Sequence, residues 1–171
     1  MSLTRILARR RIALGFLAAV AALVLARPTP LTWWIGLVIA IAGEAIRIWA
    51  AGHLEKGREI TQSGPYRWSW HPLYVGSSII AVGIVIASRS VPVAIVTAFY
   101  MGATITAAIR TEEAVMTGRF GDAYDRYRES SSDPMPRRFS AARAMRNREY
   151  RAVAGLAGGF ALLALRMIGY L

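Results

Sequence analysis

Five long apolar runs constrain this chain more than any other feature of its sequence. They occupy residues 12–26, 33–51, 73–87, 91–109 and 153–171, and short polar breaks separate them. A helix that spans a bilayer needs roughly 20 mostly apolar residues, so each run predicts a membrane span. The first and third runs are short, and they need flanking residues or a locally thinner bilayer. We therefore predict a single integral membrane domain over residues 1–171, an all-α, polytopic membrane helix bundle of about five transmembrane helices.

The charge of the chain indicates which surfaces it meets. The formal net charge is +11, which suits an anionic membrane surface or nucleic acid. The apolar runs favour the membrane, so we expect a bilayer with anionic lipids as a partner and no nucleic acid. The basic segment 137–151 is the candidate for binding these lipids. There are no cysteines, which excludes a disulfide framework, a thiolate metal site and a cysteine nucleophile, and no metal site is predicted.

The distribution of arginine and lysine predicts the orientation of the bundle. Basic residues concentrate before the first run, in the connection 54–70 and in the long connection 111–151, whereas the other two turns carry only Arg27 and Arg89. With five spans, the three basic regions fall on one side, which the positive-inside rule makes cytoplasmic. We therefore expect the N-terminus and the active site to be cytoplasmic, in the inner or plasma membrane if the source is bacterial.

The start of the chain also permits a second interpretation. Arg9, Arg10 and Arg11, the apolar run after them and the end of that run at Ala26 are similar to a cleavable signal peptide. A second span follows directly after Pro30, however, and this favours a retained helical hairpin. The two prolines at 28 and 30 predict the turn, because proline lacks a backbone donor and clashes with the preceding helical turn.

The most informative motif precedes the third run, at residues 64–76. Gly64 and Pro65 predict a turn, and Pro72 suits the first turn of a helix, which places His71 near its N-cap. The start of a helix presents unpaired N–H groups and a positive dipole end, which favour a carboxylate or phosphate. Gly76 would let a ligand or a neighbouring backbone approach closely. The alternative is an interfacial aromatic belt, formed here by Tyr66, Trp68, Trp70 and Tyr74.

A second motif lies at the end of the fourth run. It contains Arg110, Glu112 and Glu113, and then Tyr124 and Tyr127. Carboxylates at a membrane boundary are costly to desolvate, so they need partners, and Arg110 is one candidate. The tyrosines share a helical face with Phe120 and are expected to pack rather than to bind a cofactor.

Two further ionisable residues, Glu44 and Arg47, lie within the second run, three residues apart on one helical face. Ionisable residues at membrane depth are candidates for function. We expect these two to pair with each other, or Arg47 to reach the Glu112–Glu113 pair instead.

Taken in order, the two motifs resemble the isoprenylcysteine carboxyl methyltransferase family and its relatives among membrane phospholipid methyltransferases. The shared pattern is Gly-Pro-Tyr-Arg, His-Pro-x-Tyr-x-Gly, a helical hairpin, Glu-Glu and Phe-Gly-x-x-Tyr-x-x-Tyr, which covers residues 64–127. The helix predicted at 153–171 is not a fixed part of that pattern. The resemblance implies S-adenosyl-L-methionine as cofactor and a lipophilic small molecule, a prenylcysteine-type carboxylate or a lipid headgroup as methyl acceptor. It implies that one glutamate contacts the cofactor and that the other lies with Arg110 near the reaction centre. The catalytic residues are then Arg110 and Glu113, and the cofactor-binding residues are Tyr66, Arg67, His71, Pro72, Leu73, Tyr74, Gly76 and Glu112.

One departure from the family pattern leaves other functions open. Members usually carry arginine immediately before His-Pro, and here that residue is Trp70, so Arg67 is the candidate to supply the missing charge. The first alternative is an NADPH-dependent membrane reductase of the sterol-reductase type, which is similar around His-Pro-x-Tyr-x-Gly. The second is a non-catalytic protein that binds membrane or lipid.

Overall fold

The computed structural model describes residues 15–129 and 136–170, and in these residues the fold is all α, as predicted. Five apolar helices, three of them long, correspond to the five apolar runs, and two short helices lie between the last two of them. The described helices are α1 (Gly15–Leu25), α2 (Pro30–His53), α3 (Pro72–Ser88), α4 (Val91–Phe120), α5 (Asp122–Arg128), α6 (Ala141–Arg146) and α7 (Tyr150–Met167). The basic residues at positions 5 and 9–11 and the start of the first run lie outside the described residues, as does the signal-peptide interpretation that depends on them.

Three of the described helices, α2, α4 and α7, are long and apolar enough to cross a membrane. Helices α1 and α3 are apolar but shorter, in agreement with the expectation that the first and third spans are short. Many large apolar side chains on these helices face outward, for example Phe99, which is 77% exposed. An outward apolar surface of this kind suits lipid rather than water. The protein is therefore an integral membrane protein.

The tight turns before α2 and before α4 each end in a residue that caps the next helix and in a proline at the start of that helix. Thr29 caps α2 in a reciprocal capping box with Thr32, and Pro30 occupies the first helical turn. Ser90 caps α4 by accepting from the N–H of Val93, again next to a proline. The N–H of Arg27 donates to the carbonyl of Ser88 over 2.8 Å, which ties the two turns together at one end of the bundle.

Helices α2 and α3 pack against each other through facing glycines. A methyl group built on Gly43 would lie 2.7 Å from the carbonyl oxygen of Gly76, and one on Gly36 would lie closer still to the carbonyl oxygen of Gly83. Only glycine permits this backbone approach, which is a common way for helices to associate in membranes. Gly76 is buried against α2, so the neighbouring backbone anticipated at this position belongs to α2.

The fourth helix is longer than its apolar run. The basic connection 111–151 between the last two runs begins within α4, which continues to Phe120, and it contains the short helices α5 and α6. Between residues 111 and 120 no proline interrupts the helix, and charged residues outside the bilayer are compatible with helical structure. Gly121, with φ of 50°, ends it. Glu112 and Glu113 therefore lie inside a helix and are held rigidly.

The segment 137–147 caps the end of α2. Its backbone and side chains donate to the carbonyls of Ala51, Gly52, His53 and Leu54, none of which has a backbone partner inside α2. Two ion pairs strengthen this attachment, Arg143 with Glu55 at 2.8 Å and Arg137 with Glu59 at 2.5 Å. We call this segment, residues 137–147, the cap segment.

Candidate active site

The site begins where the chain re-enters the bundle before α3. Gly64, with φ of 59°, starts a short 3-10 turn (Gly64–Arg67), and the chain then reaches His71, which is the residue before the first turn of α3. Pro72 is fully buried, so the start of α3 is fixed in place. The imidazole of His71 is therefore presented at the end of the bundle that also carries the connection 54–70.

Helix α4 runs antiparallel to α3 and brings the two glutamates to this histidine. Nε2 of His71 lies 3.4 Å from a carboxylate oxygen of Glu113, and its Nδ1 lies 3.8 Å from a carboxylate oxygen of Glu112. The hydroxyl of Tyr74 donates to Glu112 over 3.1 Å. Residues that are about 40 positions apart in the sequence thus converge, and both glutamates are partnered at the membrane boundary, as their desolvation cost requires.

The two glutamates occupy different surroundings. The side chain of Glu113 is 28% exposed, whereas that of Glu112 is 46% exposed. The side chain of His71 between them is 14% exposed. Glu112 can therefore bind a ligand that arrives from solvent, and Glu113 is better placed to hold the imidazole.

Aromatic side chains line a small cavity beside these residues. The cavity has a volume of about 50 Å³, and its walls include Tyr66, Trp70, His71, Glu112 and Tyr124. Burial raises the pKa of Tyr66 far above its usual value, and the Glu112 carboxylate adds to this shift. Burial likewise raises the pKa of Tyr124, with a smaller contribution from Glu113. Both phenols therefore stay protonated at neutral pH and remain hydrogen-bond donors.

Side chains of helix α5 pack beside the cavity and form part of its wall. Tyr124 and Tyr127 are buried and pack with Ile60, as expected for residues on one packed helical face. The hydroxyl of Tyr127 donates to the carbonyl of Tyr66 over 2.9 Å, which fixes the 3-10 turn relative to α5. Tyr124 and Tyr127 also line the cavity, a role that the sequence alone does not indicate.

Other residues assigned to the site lie apart from this convergence. Arg110 and Arg67 are exposed, and within residues 15–129 and 136–170 neither forms an ion pair with the two glutamates. Leu73 turns its carbonyl toward Arg47 and Ser77, and Gly76 contacts Arg47 and the backbone of α2. Leu73 and Gly76 thus stabilise the packing of α3 on α2.

A cation does lie beside Trp70, but it comes from α5. The guanidinium of Arg128 stacks over the indole ring, 5.6 Å from its centroid, in a cation–π arrangement. Arg128 lies four residues after Tyr124, on a related face of α5, and no motif in the sequence indicates its contact with Trp70. Arg128 is thus a cation beside Trp70.

A second polar group lies deeper in the bundle and centres on Arg47. Its Nε is 2.7 Å from a carboxylate oxygen of Glu149 and 3.6 Å from one of Glu44, and its Nη1 donates to Ser77 and to the carbonyl of Leu73. The pairing with Glu44 was predicted, whereas the contact with Glu149 was not, because that residue is more than 100 positions away. Arg47 does not pair with Glu112 or Glu113 among the described residues.

Comparisons with known proteins assign the chain to a family. The chain is 29% identical over 105 residues to the nickel-cobalt-cadmium resistance protein NccN of Alcaligenes xylosoxydans xylosoxydans, a match that covers 60% of this chain and 47% of that protein. It is 32% identical over 72 residues to the uncharacterized protein YpbQ of Bacillus subtilis (strain 168), covering 36% of this chain and 43% of YpbQ. The chain thus spans less than half the length of these relatives, and no solved structure matches it. The model of the phospholipid methyltransferase family, which includes isoprenylcysteine carboxyl methyltransferase-like members, matches residues 20–123. Since this match covers more than half of the sequence and contains the motif at 64–76 together with Arg110, Glu112 and Glu113, the chain belongs to the phospholipid methyltransferase family.

Proposed function

We propose that the protein transfers a methyl group from S-adenosyl-L-methionine to a lipophilic acceptor, at the ends of α3 and α4. The observation that carries this proposal is the convergence of His71 and Tyr74 with Glu112 and Glu113. Membership of a membrane methyltransferase family supports it. The acceptor classes that fit a site at the membrane boundary are a prenylcysteine-type carboxylate, a lipid headgroup and another lipophilic small molecule.

The side chains at the site suit the functional groups of this cofactor. Glu112 is exposed enough to accept from an ammonium group, and the positive dipole end of α3 suits a carboxylate. The rings of Tyr74 and Trp70 offer faces to an adenine and a sulfonium. The cavity of about 50 Å³ admits only one end of such a molecule, since ligand pockets usually measure about 300–1,000 Å³. The remainder would lie along the exposed surface of Glu112 and Trp70.

When bound, S-adenosyl-L-methionine supplies an electrophilic methyl group on a sulfonium. Transfer of that methyl group would be an in-line displacement at its carbon with S-adenosylhomocysteine as the leaving group, so the main tasks of the protein are to position the reactants and to exclude water. If the reacting group of the methyl acceptor carries a proton, the His71–Glu113 pair can accept that proton. Arg110, one turn before Glu113 on α4, is exposed and would contact an anionic part of the acceptor. We therefore assign contact with the methyl acceptor to Arg110 and Glu113. We assign contact with the cofactor to Glu112, His71, Tyr66 and Tyr74.

The proposal is tested by separating binding from turnover in two glutamine variants. The protein in nanodiscs is incubated with S-adenosyl-L-methionine that carries a tritiated methyl group and with a membrane lipid extract. Glu112→Gln removes a charge-assisted hydrogen bond worth about 1.5–3 kcal/mol, so cofactor affinity should fall about ten- to a hundredfold. Glu113→Gln should lower transfer of the label while leaving affinity nearly unchanged.

The matched control is Glu129→Gln, which removes the same charge at an exposed position after α5. This variant should bind and transfer as the unmodified protein does. Cofactor binding that survives both Glu112→Gln and His71→Ala would show that the cofactor lies elsewhere.

A further inference from the structure

Glu44 is the most unusual side chain outside the site described above. It lies within the membrane-spanning helix α2, is only 5% exposed, and neither of its carboxylate oxygens has a hydrogen-bond partner in the part of the chain that the structure describes. A buried carboxylate without a hydrogen bond is costly, and a ligand with N–H donors would remove that cost. Arg47 does not remove this cost, because it lies 3.6 Å away and makes its shorter contact with Glu149.

The carboxylate of Glu44 lines a cavity inside the bundle. This cavity has a volume of about 390 Å³, and Glu44, Arg47 and Ser77 form its polar end. Its other walls are mostly apolar and come from α1, α3, α4 and α7. It continues into a larger apolar groove of about 780 Å³ between α1 and α7, with which it shares Tyr100 and Gly155. A polar head with an apolar tail therefore matches the shape and the lining of this space.

The charges at the polar end favour a cation. When both are ionised, Glu44 and Glu149 supply two negative charges against the single positive charge of Arg47, and Arg47 makes its shorter contacts with Glu149 and Ser77. An anionic head would add repulsion, whereas a cationic head would neutralise the group. The two oxygens of Glu44 also lack hydrogen bonds from N–H or O–H donors among the described residues. A primary ammonium has three N–H donors and meets both requirements.

We propose that this cavity, which we call the Glu44 cavity, binds a single-chain amphiphile with a primary ammonium head, such as a long-chain amine. The ammonium donates to the carboxylate of Glu44, and the chain extends along α1 and α7. A zwitterionic phospholipid fits less well, because its phosphate would lie near Glu44 and Glu149. The Glu44 cavity is distinct from the proposed methyl-transfer site, since Ser77 lies six residues, or about 9 Å along α3, beyond His71. The proposal does not depend on the proposed methyl transfer.

The binding test uses tritiated dodecylamine and the protein in phosphatidylcholine nanodiscs, with empty nanodiscs measuring partition into lipid. We expect saturable binding of one amine per chain. Unlabelled dodecylamine should displace it, whereas dodecanoate and dodecyltrimethylammonium at the same concentration should not. The trimethylammonium compound carries the charge without N–H donors, so it separates charge from hydrogen bonding.

Two variants test the two halves of the Glu44 cavity. Glu44→Gln keeps the shape but removes the charge, and it should weaken amine binding at least about tenfold. Gly155→Leu places a side chain in the groove, where nothing lies within 4 Å of a new Cβ, and it should also reduce binding. The controls are Glu129→Gln and Gly102→Leu, the latter at an exposed and unobstructed glycine of α4 that does not line the Glu44 cavity. Both controls should bind as the unmodified protein does.

Amine binding that is unchanged in both Glu44→Gln and Gly155→Leu, equal displacement by dodecanoate, or no saturable binding would each overturn the proposal. Binding of S-adenosyl-L-methionine is measured on the same samples and should be unaffected by either variant. Failure of the Glu44 cavity proposal is therefore distinguishable from failure of the methyl-transfer proposal.

Discussion

Replacing Gly43 by alanine tests the close packing of α2 on α3. The added methyl group would lie 2.7 Å from the carbonyl oxygen of Gly76 and 2.8 Å from the backbone nitrogen of Ile80. Neither is the end of a flexible side chain, so the two helices must move apart. Overpacking of this kind costs about 1–3 kcal/mol. Alanine regains about 1 kcal/mol of helix propensity, so the net loss of stability should be about 0–2 kcal/mol, or about 1–3 kcal/mol relative to an alanine that meets no clash.

The matched control is Gly102→Ala on α4, where a new Cβ meets nothing within 4 Å. It gains the same helix propensity without a clash, so its free energy of unfolding should be unchanged or higher. The assay is unfolding of purified protein by a denaturing detergent in mixed micelles, followed by circular dichroism. A Gly43→Ala protein as stable as Gly102→Ala would refute the argument that these glycines are needed for the helix contact.

Three other properties follow from the geometry. Arg143 donates a hydrogen bond to Glu55 and holds its pKa below the ordinary value of 4.5, so the stability from this pair is complete above that value and is lost as the pH falls below it. Proteolysis of the cap segment should therefore accelerate in acid, and in Glu55→Gln it should be fast at every pH; equal rates for both proteins at pH 7 would contradict this. Tyr127→Phe loses the hydrogen bond to the 3-10 turn and should lower the free energy of unfolding by about 1 kcal/mol; an unchanged value would show that this bond does not contribute. The chain has no cysteine, so Lys56→Cys and Arg27→Cys each give a single label site; an impermeant maleimide on intact cells should reach the second and not the first, and the reverse would invert the orientation.

Much of the fold could be predicted because membrane spans depend on local composition. The five apolar runs correspond to five helices, and the predicted turn at the prolines 28 and 30 separates α1 from α2. The continuation of α4 to Phe120 could not be predicted, because hydropathy marks where a helix leaves the bilayer and not where it ends. The role of the cap segment depends on contacts between distant residues, such as Arg143 with Glu55, which no local pattern encodes.

The site was predictable only in part, because some of its contacts join residues that are distant in the sequence. Its motifs identify His71, Tyr74, Glu112 and Glu113, and the antiparallel α3–α4 hairpin brings them together. Their roles in binding and catalysis stay predictions. The stacking of Arg128 on Trp70 and the contact of Glu149 with Arg47 depend on the three-dimensional path of the chain after α4.

Equilibrium dialysis with labelled S-adenosyl-L-methionine determines whether this protein binds the proposed cofactor. Purified protein in nanodiscs should bind one molecule per chain, and S-adenosylhomocysteine should displace it while NADPH should not. Absence of binding, or displacement by NADPH alone, would contradict the assignment of this site to methyl transfer.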